Sequence, residues 1–192
     1  MAVTLPESRL DEEWRLVEQV TETVFKLPTA EVVGDTHLYE DGYLRDTVRE
    51  ATDGTHDLPW RFFFSTDLTF RPPLAPGFGT ASVFPTVVSS ARREFADDLR
   101  ERGFANVERQ RSERMRLSSG RRARLNRYTA RYPLTEAAVV VEGWLAVWAA
   151  GSSFALAGGA YPVDGLDALA PGVAGDPGTY RNELLAMTRT VG

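Results

Sequence analysis

The stretch VVVEGWLAVWAAGSSFALAGGAYP, residues 139–162, constrains the fold most because it is almost wholly apolar. It has the ~20 residues that a membrane helix needs, and arginines precede it while Asp164 follows. However, Glu142 and four glycines interrupt it, and each glycine inside a helix costs roughly 1 kcal/mol relative to alanine. Three consecutive valines favour a strand. We therefore predict two buried β-strands, broken at 151–153, and no transmembrane segment.

The first of these strands, residues 138–149, is apolar on both faces. One face carries Val139, Val141, Leu145 and Val147, and the other carries Val140, Trp144, Ala146 and Trp148. A strand with two apolar faces has to be covered on both. Amphipathic helices predicted over 85–102 and 179–191 supply the two covers.

The remaining elements follow from periodicity and from turn residues. Strands are predicted over 14–27, where a helix is the alternative, over 31–39, over 60–70, and on both sides of a hairpin turn at Ser119-Gly120. Alternation of Phe62, Phe64, Leu68 and Phe70 with polar residues predicts that the strand at 60–70 is half-buried. A short helix follows the N-cap residue Asp41. Pro85 suits the first turn of the next helix, and Gly103 is placed to end it.

The order of elements is therefore ββαβαββββα. It predicts an α+β fold in which an antiparallel sheet of about six to seven strands packs between helices, as an α/β/α sandwich. A length of 192 residues suits one globular domain over 1–192, in which residues 1–13 are a candidate disordered N-terminal segment. The acidic start lacks an apolar signal region, so the expected location is the cytoplasm.

The composition excludes several kinds of chemistry. The chain has no cysteine, which rules out disulfides, thiolate metal sites and a thiol nucleophile. Its 22 basic residues include a single lysine, Lys26, and its 27 acids give a net charge of −5. An acidic protein is a poor non-specific binder of nucleic acid. A composition rich in acid and poor in lysine is typical of a GC-rich genome and of a salt-loving organism.

Five stretches of the sequence resemble a known family. GDTHLYEDGYLRDTV, WRFFFSTDLTF, SARREFADDLRERGFANV, SSGRRARLNRY and VEGWLAVWAAGSSFALAGGAYP look like an uncharacterised family of haloarchaeal proteins. The order of elements is similar to that of the PsbP-like fold, an antiparallel sheet in an α/β/α sandwich. Most PsbP-like proteins are binding or assembly proteins, so the resemblance implies binding rather than catalysis.

Arginine dominates the predicted hairpin. Nine arginines lie within 23 residues, namely 109, 111, 114, 116, 121, 122, 124, 127 and 131. The strand alternation places Arg114 with Arg116, and Arg122 with Arg124, opposite an apolar face of Met115, Leu117, Ala123 and Leu125. We expect the arginines of the hairpin to pair with acids of the preceding helix, which are Glu94, Asp97, Asp98 and Glu101. The alternatives are an acidic protein partner or surface, which guanidinium groups bind bidentately, and nucleic acid.

Two further groups of residues are candidate sites. Asp35 and His37 share a face of a predicted strand and are weak metal candidates, while His56 lies in a turn between Asp53 and Asp57; we expect no bound metal and no cofactor. The loop at 71–85 leads into a helix and contains Gly77, Gly79, Thr80 and Ser82, whose amides and hydroxyls suit an anion. It lacks the P-loop pattern.

No catalytic residue emerges, because no serine or other nucleophile is placed by a motif beside a histidine. The chain is predicted to be a soluble binding or accessory protein that acts through contact with a protein partner, and an enzyme is less expected. One alternative is an anion-binding or small-molecule-binding protein, or an enzyme, with a pocket under the 71–85 loop. Another is attachment to an anionic membrane surface through the arginine-rich hairpin. The sequence leaves the oligomeric state open.

Overall fold

The computed structural model describes residues 14–74 and 79–192. The candidate disordered segment 1–13 and the candidate ligand residue Gly77 lie outside this part of the chain. The elements are β1 (Trp14–Leu27), β2 (Ala30–Asp41), α1 (Gly42–Ala51), β3 (Phe62–Arg71), α2 (Thr80–Glu101), β4 (Ala105–Arg116), β5 (Arg122–Pro133), β6 (Ala138–Ala150), β7 (Ser153–Asp164) and α3 (Pro177–Val191), with a short 3-10 turn at Leu166–Ala168 between β7 and α3. Their order is the predicted one.

The strands form one antiparallel sheet of seven in the order β1-β2-β3-β7-β6-β5-β4. The apolar stretch that opened the sequence analysis is the β6–β7 hairpin, and it lies in the middle of this sheet with almost every side chain buried. Among residues 14–74 and 79–192, no helix has the combined length and apolar character needed to cross a bilayer.

Helices cover the two faces of the sheet, as both apolar faces of β6 require. One core contains Val88, Ala91, Phe95 and Leu99 of α2 packed against the sheet, together with Leu44 and Val48 of α1. The other core contains Leu184 and Met187 of α3, packed against Trp144 and Trp148 of β6 and against neighbouring strands. The fold is α+β, as predicted.

The observed helix ends agree with two of the three helix-end residues predicted from the sequence. Asp41 caps α1, with its Oδ1 accepting a hydrogen bond from the Leu44 amide at 2.9 Å. Gly103 follows α2 with φ of +93° and donates its amide to the Arg100 carbonyl at 2.9 Å. The predicted start of α2 at Pro85 is wrong: the helix begins at Thr80, and Pro85 lies inside it. Pro85 lacks only one backbone N–H donor, and the packing of the apolar face of α2 offsets the loss of that hydrogen bond.

The prediction that β3 is half-buried holds only for the second half of the strand. β3 lies between β2 and β7, and Phe63 and Ser65 are buried on the face predicted to be exposed, whereas Thr69 and Arg71 on the same face are exposed. Arg61, just before β3, is only 4% exposed. Its guanidinium donates to Asp41 Oδ2 at 2.9 Å and to Glu183 of α3. Arg61 therefore links β3 to the cap of α1 and to α3.

Candidate functional site

The β4–β5 hairpin places four arginines on one face of the sheet. Arg114 lies directly opposite Arg124, and Arg116 lies directly opposite Arg122. We call these four residues the arginine face. Directly opposed residues of antiparallel strands point to the same side, which here is the side that carries α2. Arg114, Arg116 and Arg122 are exposed, and Arg124 is half-buried.

The opposite side of the hairpin is buried and holds the arginine face in place. Met115, Leu117, Ala123 and Leu125 belong to the same core as Met187 of α3. The Ser118 amide in the hairpin turn also donates to the Arg189 carbonyl at 3.0 Å, which ties the turn to the end of α3. The predicted separation of an arginine face from an apolar face is present, and the arginines are carried by a packed ribbon.

The expected pairing of these arginines with α2 is wrong. In residues 14–74 and 79–192, no carboxylate lies within 4.0 Å of any guanidinium of the arginine face, whereas Arg111 and Arg127 in the same hairpin pair with Glu113 and Glu142. Asp97 pairs with Arg100 of its own helix, at 2.7 Å. Glu94, Asp97, Asp98 and Glu101 all line a cleft instead.

The direction of the chain explains why these acids cannot reach the arginines. β4 starts just after the end of α2 and runs back along it, so the hairpin turn lies beside the beginning of the helix. The contact of Arg92 with Asn126 and of Phe95 with Tyr128 fixes this alignment. The acids fill the last two turns of α2, at the other end from the arginine face.

Arg92 and Arg109 extend the positive surface beyond the hairpin end. Arg92 of α2 donates from Nε to Asn126 Oδ1 at 2.7 Å and from Nη2 to Ser112 Oγ at 3.0 Å, and Arg109 donates to the same hydroxyl at 3.2 Å. Neutral groups therefore fix the Arg92 guanidinium in place. Burial, followed by the positive charges of Arg109 and Arg124, lowers the pKa of Arg92. Positive charge accumulates here without an internal counter-charge among the described residues.

The candidate metal residues share a face but do not form a metal centre. Asp35 accepts a hydrogen bond from Thr21 at 3.4 Å and lies opposite Asp67, while His37 is buried opposite Ser65. Nowhere in the described ranges do three His, Asp or Glu side chains converge so as to hold a metal ion. His56 is separate from them, with Nδ1 3.3 Å from the Tyr132 hydroxyl.

The described part of the candidate ligand loop is engaged in starting α2. Gly79 is the N-cap residue, and Ser82 directs both its amide and its hydroxyl to the Gly79 carbonyl, at 3.1 and 2.8 Å. Thr80 is the first residue of the helix. No residue of 71–74 or 79–85 lines the cavity of about 410 Å³ that the structure contains. That cavity lies between the second half of α2 and β1–β3, away from the predicted position under the loop.

The most perturbed ionisable groups elsewhere in the described chain are structural. Burial raises the pKa of Tyr128 to about 12, and its hydroxyl donates to the Arg92 carbonyl at 3.3 Å. Burial and a hydrogen bond to Glu142 raise the pKa of Tyr161. Glu142 also accepts from Trp144 Nε1 and Arg127 Nε, each at 2.9 Å. These groups satisfy one another inside the sheet, and the tyrosines stay protonated at neutral pH.

Two features of the site were visible only in the structure. The direct opposition of arginines across the hairpin depends on its register, and the sequence alone does not fix that register. The cleft beside α2 depends on the position of β1 at the far edge of the sheet from β4. The recurring acids of α2 were the available signal for the cleft, but their partner strand was not predictable.

Comparison with known proteins adds a family and no function. Neither the curated proteins nor the solved structures include a match to this chain. One family model does match, and it covers residues 2–192, which is nearly every residue. The chain belongs to the family described as a domain of unknown function, DUF6517.

Proposed function

We propose that this protein is a binding or accessory protein whose arginine face binds an acidic surface of a partner protein. The observation that carries the proposal is the two pairs of directly opposed arginines, Arg114 with Arg124 and Arg116 with Arg122, with no described carboxylate within 4.0 Å of their guanidinium groups. Like charges directly opposite each other on a sheet are destabilising. An anionic partner removes that cost when it binds.

The chemistry of the arginine face suits carboxylates. A guanidinium has a planar fork of donors that binds a carboxylate bidentately, and it loses little hydration compared with an ammonium. The ribbon is anchored from behind by Met115 and Leu117, so the guanidinium stems start from fixed positions. A pre-organised charged surface of this kind speeds association and favours partners of opposite charge.

The overall charge favours a protein partner over nucleic acid. The chain carries a net charge of −5, so a long polyanion that approaches the arginine face also meets repulsion from the rest of the surface. A compact acidic patch on a protein avoids that repulsion. The similarity of the element order to the PsbP-like fold also supports binding rather than catalysis, since most PsbP-like proteins are binding or assembly proteins.

The test compares three baits in a lysate of the organism that encodes the chain. The first bait is the wild type. The second, the face variant, has Arg114, Arg116, Arg122 and Arg124 changed to Gln. The third, the matched variant, removes the same number of exposed arginines elsewhere, namely Arg71, Arg93, Arg181 and Arg189, each changed to Gln. Retained proteins are identified by mass spectrometry after nuclease treatment.

The proposal expects the wild type and the matched variant to retain the same acidic protein, and the face variant to lose it. That protein, once purified, should bind the wild type directly, with an affinity that falls as salt rises. Retention by all three baits would refute the proposal. Retention that disappears with nuclease would assign the arginine face to nucleic acid, and binding only to anionic vesicles would assign it to a membrane surface.

A further inference from the structure

A cleft of about 410 Å³ opens beside α2 on the half of the sheet that lies away from the arginine face. It is bounded by the second half of α2 and by β1, β2 and β3, and we call it the α2 cleft. A sheet of seven strands spaced about 4.8 Å apart is far wider than one helix of about 10 Å diameter. Because α2 packs on β4, β5 and β6 and also contacts β1, the cleft lies between the helix and the β1–β3 part of the sheet.

The floor of the α2 cleft is apolar and largely aromatic. It is formed by Phe62, Phe64, Phe95, Leu38, Leu145 and Leu156. Phe64 and Phe95 pack against each other there, with ring centroids 5.8 Å apart. Ring faces carry partial negative charge, so this floor accepts either an apolar group or a cation above a ring.

The rim of the α2 cleft is acidic on both sides. Glu18 and Glu22 of β1 stand on one side, and Glu94, Asp97, Asp98 and Glu101 of α2 stand on the other. Asp97 is paired with Arg100, and Arg102 is the single basic residue in the lining. Five carboxylates therefore face the cleft with one guanidinium among them.

The pKa values of two rim carboxyls are raised, chiefly because the cleft keeps water from them and secondarily because other carboxylates lie nearby. Desolvation, followed by the charge of Asp97, raises the pKa of Glu94. Desolvation also raises the pKa of Asp98, and Glu101 and Glu22 add to it against the opposing effect of Arg102. Water reaches both side chains, but the concave surface around them restricts hydration. The influence of Glu22 on Asp98 shows that the two sides of the cleft interact across it.

The protein itself places one cation in the α2 cleft. The Arg102 guanidinium lies over the Phe62 ring, with its central carbon 5.0 Å from the ring centroid, and no described carboxylate lies within ion-pairing distance of it. A positive group on an apolar stem is thus already accommodated at this floor. The remainder of the cleft offers the same surroundings, aromatic faces below and carboxylates above.

We propose that the α2 cleft binds a small organic cation with an apolar body, such as an aryl-alkyl ammonium compound. The body packs beside Phe64 and Phe95, next to the Phe62 ring that Arg102 already covers, and the ammonium group meets the carboxylates of Glu22, Glu94 and Asp98. The cavity volume is within the range of ~300–1,000 Å³ that is usual for small-molecule sites. Such a ligand matches both the apolar floor and the acidic rim of the cleft. A metal ion would match only the rim, and a neutral hydrocarbon would match only the floor.

Three probes separate the two parts of this recognition. 2-Phenylethylamine carries the ring and the charge, 2-phenylethanol carries the ring without the charge, and ethylamine carries the charge without the ring. Each is titrated to millimolar concentration into the full chain at low salt, and amide and methyl shifts are followed by NMR. We expect 2-phenylethylamine to bind roughly 5- to 30-fold more tightly than 2-phenylethanol. Its largest shifts should fall on the residues that line the cleft.

Variants then locate the charge contribution. Asp98→Asn and Glu22→Gln should each weaken binding of 2-phenylethylamine by roughly 2- to 5-fold and leave 2-phenylethanol unaffected. Glu136→Gln removes an exposed carboxylate elsewhere and should change nothing. The face variant should bind 2-phenylethylamine normally, so failure here is distinct from failure of the proposed function. Equal affinity for the amine and the alcohol, indifference to Asp98→Asn, shifts outside the cleft, or no shift at all would each overturn the proposal.

Discussion

Replacing Glu142 with Gln removes the charge from a carboxylate that links side chains of three neighbouring strands, two of them aromatic. Glu142 is only 6% exposed. One oxygen accepts from Trp144 Nε1 at 2.9 Å and from the Tyr161 hydroxyl, and the other accepts from Arg127 Nε at 2.9 Å and from Arg127 Nη2. The carboxylate therefore satisfies four donors from β5, β6 and β7.

The expected cost follows from the donors that Gln cannot satisfy. An amide has one oxygen, so two of the four donors must face its nitrogen instead. A buried donor without a partner costs about 1–3 kcal/mol. The Arg127 side chain is 37% exposed, so water relieves part of its loss. We expect Glu142→Gln to lower the free energy of unfolding by about 3 kcal/mol, equivalent to roughly 6–12 °C in Tm for a chain of this size.

Urea denaturation followed by circular dichroism measures this change, with Glu136→Gln as the exposed control. The hydrogen bond to Glu142 helps to raise the pKa of Tyr161, so a spectroscopic titration of the variant should show that pKa moving down toward its usual value. A loss of less than about 1 kcal/mol with an unchanged m-value would refute the reasoning, because it would mean that the four donors do not depend on this charge.

Three further substitutions have expected outcomes. Desolvation raises the pKa of Asp98 in the folded state, so ionisation of this carboxyl destabilises the fold once the pH exceeds its ordinary pKa of 3.8. Asp98→Asn should therefore stabilise the protein by about 0.2–1 kcal/mol at neutral pH and have no effect at a pH below 3.8. Urea denaturation at the two pH values measures the difference. The double change Arg116→Gln and Arg122→Gln should raise Tm at low salt by relieving like-charge repulsion worth about 0.2–1 kcal/mol, and the gain should vanish in ~1 M salt. A Cβ at Gly159 would lie 2.0 Å from the Phe62 carbonyl oxygen, so Gly159→Ala should destabilise by at least about 3 kcal/mol in the same assay.

Local patterns in the sequence were sufficient for the element order. The three valines before Glu142 and the break at 151–153 defined β6 and β7, and the structure places both as predicted. Asp41 and Gly103 marked helix ends because each satisfies a specific backbone need. These signals act within a few residues, so neighbours along the chain carry the information.

Errors arose where burial depends on distant parts of the chain. The alternation around Phe62 predicts one solvent-exposed face along the whole strand, but Phe63 and Ser65 on that face are buried in the interior of the sheet. Arg61 looked like a surface residue for the same reason. Its burial depends on Asp41 and Glu183, which lie 20 and 122 positions away.

The same limit applies to the candidate site. Strand alternation identified the arginine face correctly, because side-chain direction has a fixed period of two. The partners of those arginines were predicted wrongly, because ion pairing depends on how α2 and β4 are aligned along their lengths, and the sequence does not show that alignment. The α2 cleft was not predicted at all, since its two acidic sides come from Glu22 and Asp98, which lie far apart in sequence.

The central claim is that the arginine face attracts anions because nothing inside the described protein neutralises it. The most direct measurement is the affinity of the wild type, the face variant and the matched variant for a short oligoglutamate peptide, over a range of salt concentrations. The account predicts that the wild type and the matched variant bind alike, with affinity falling as salt rises, and that the face variant binds at least about tenfold more weakly. Equal binding by all three proteins would contradict it.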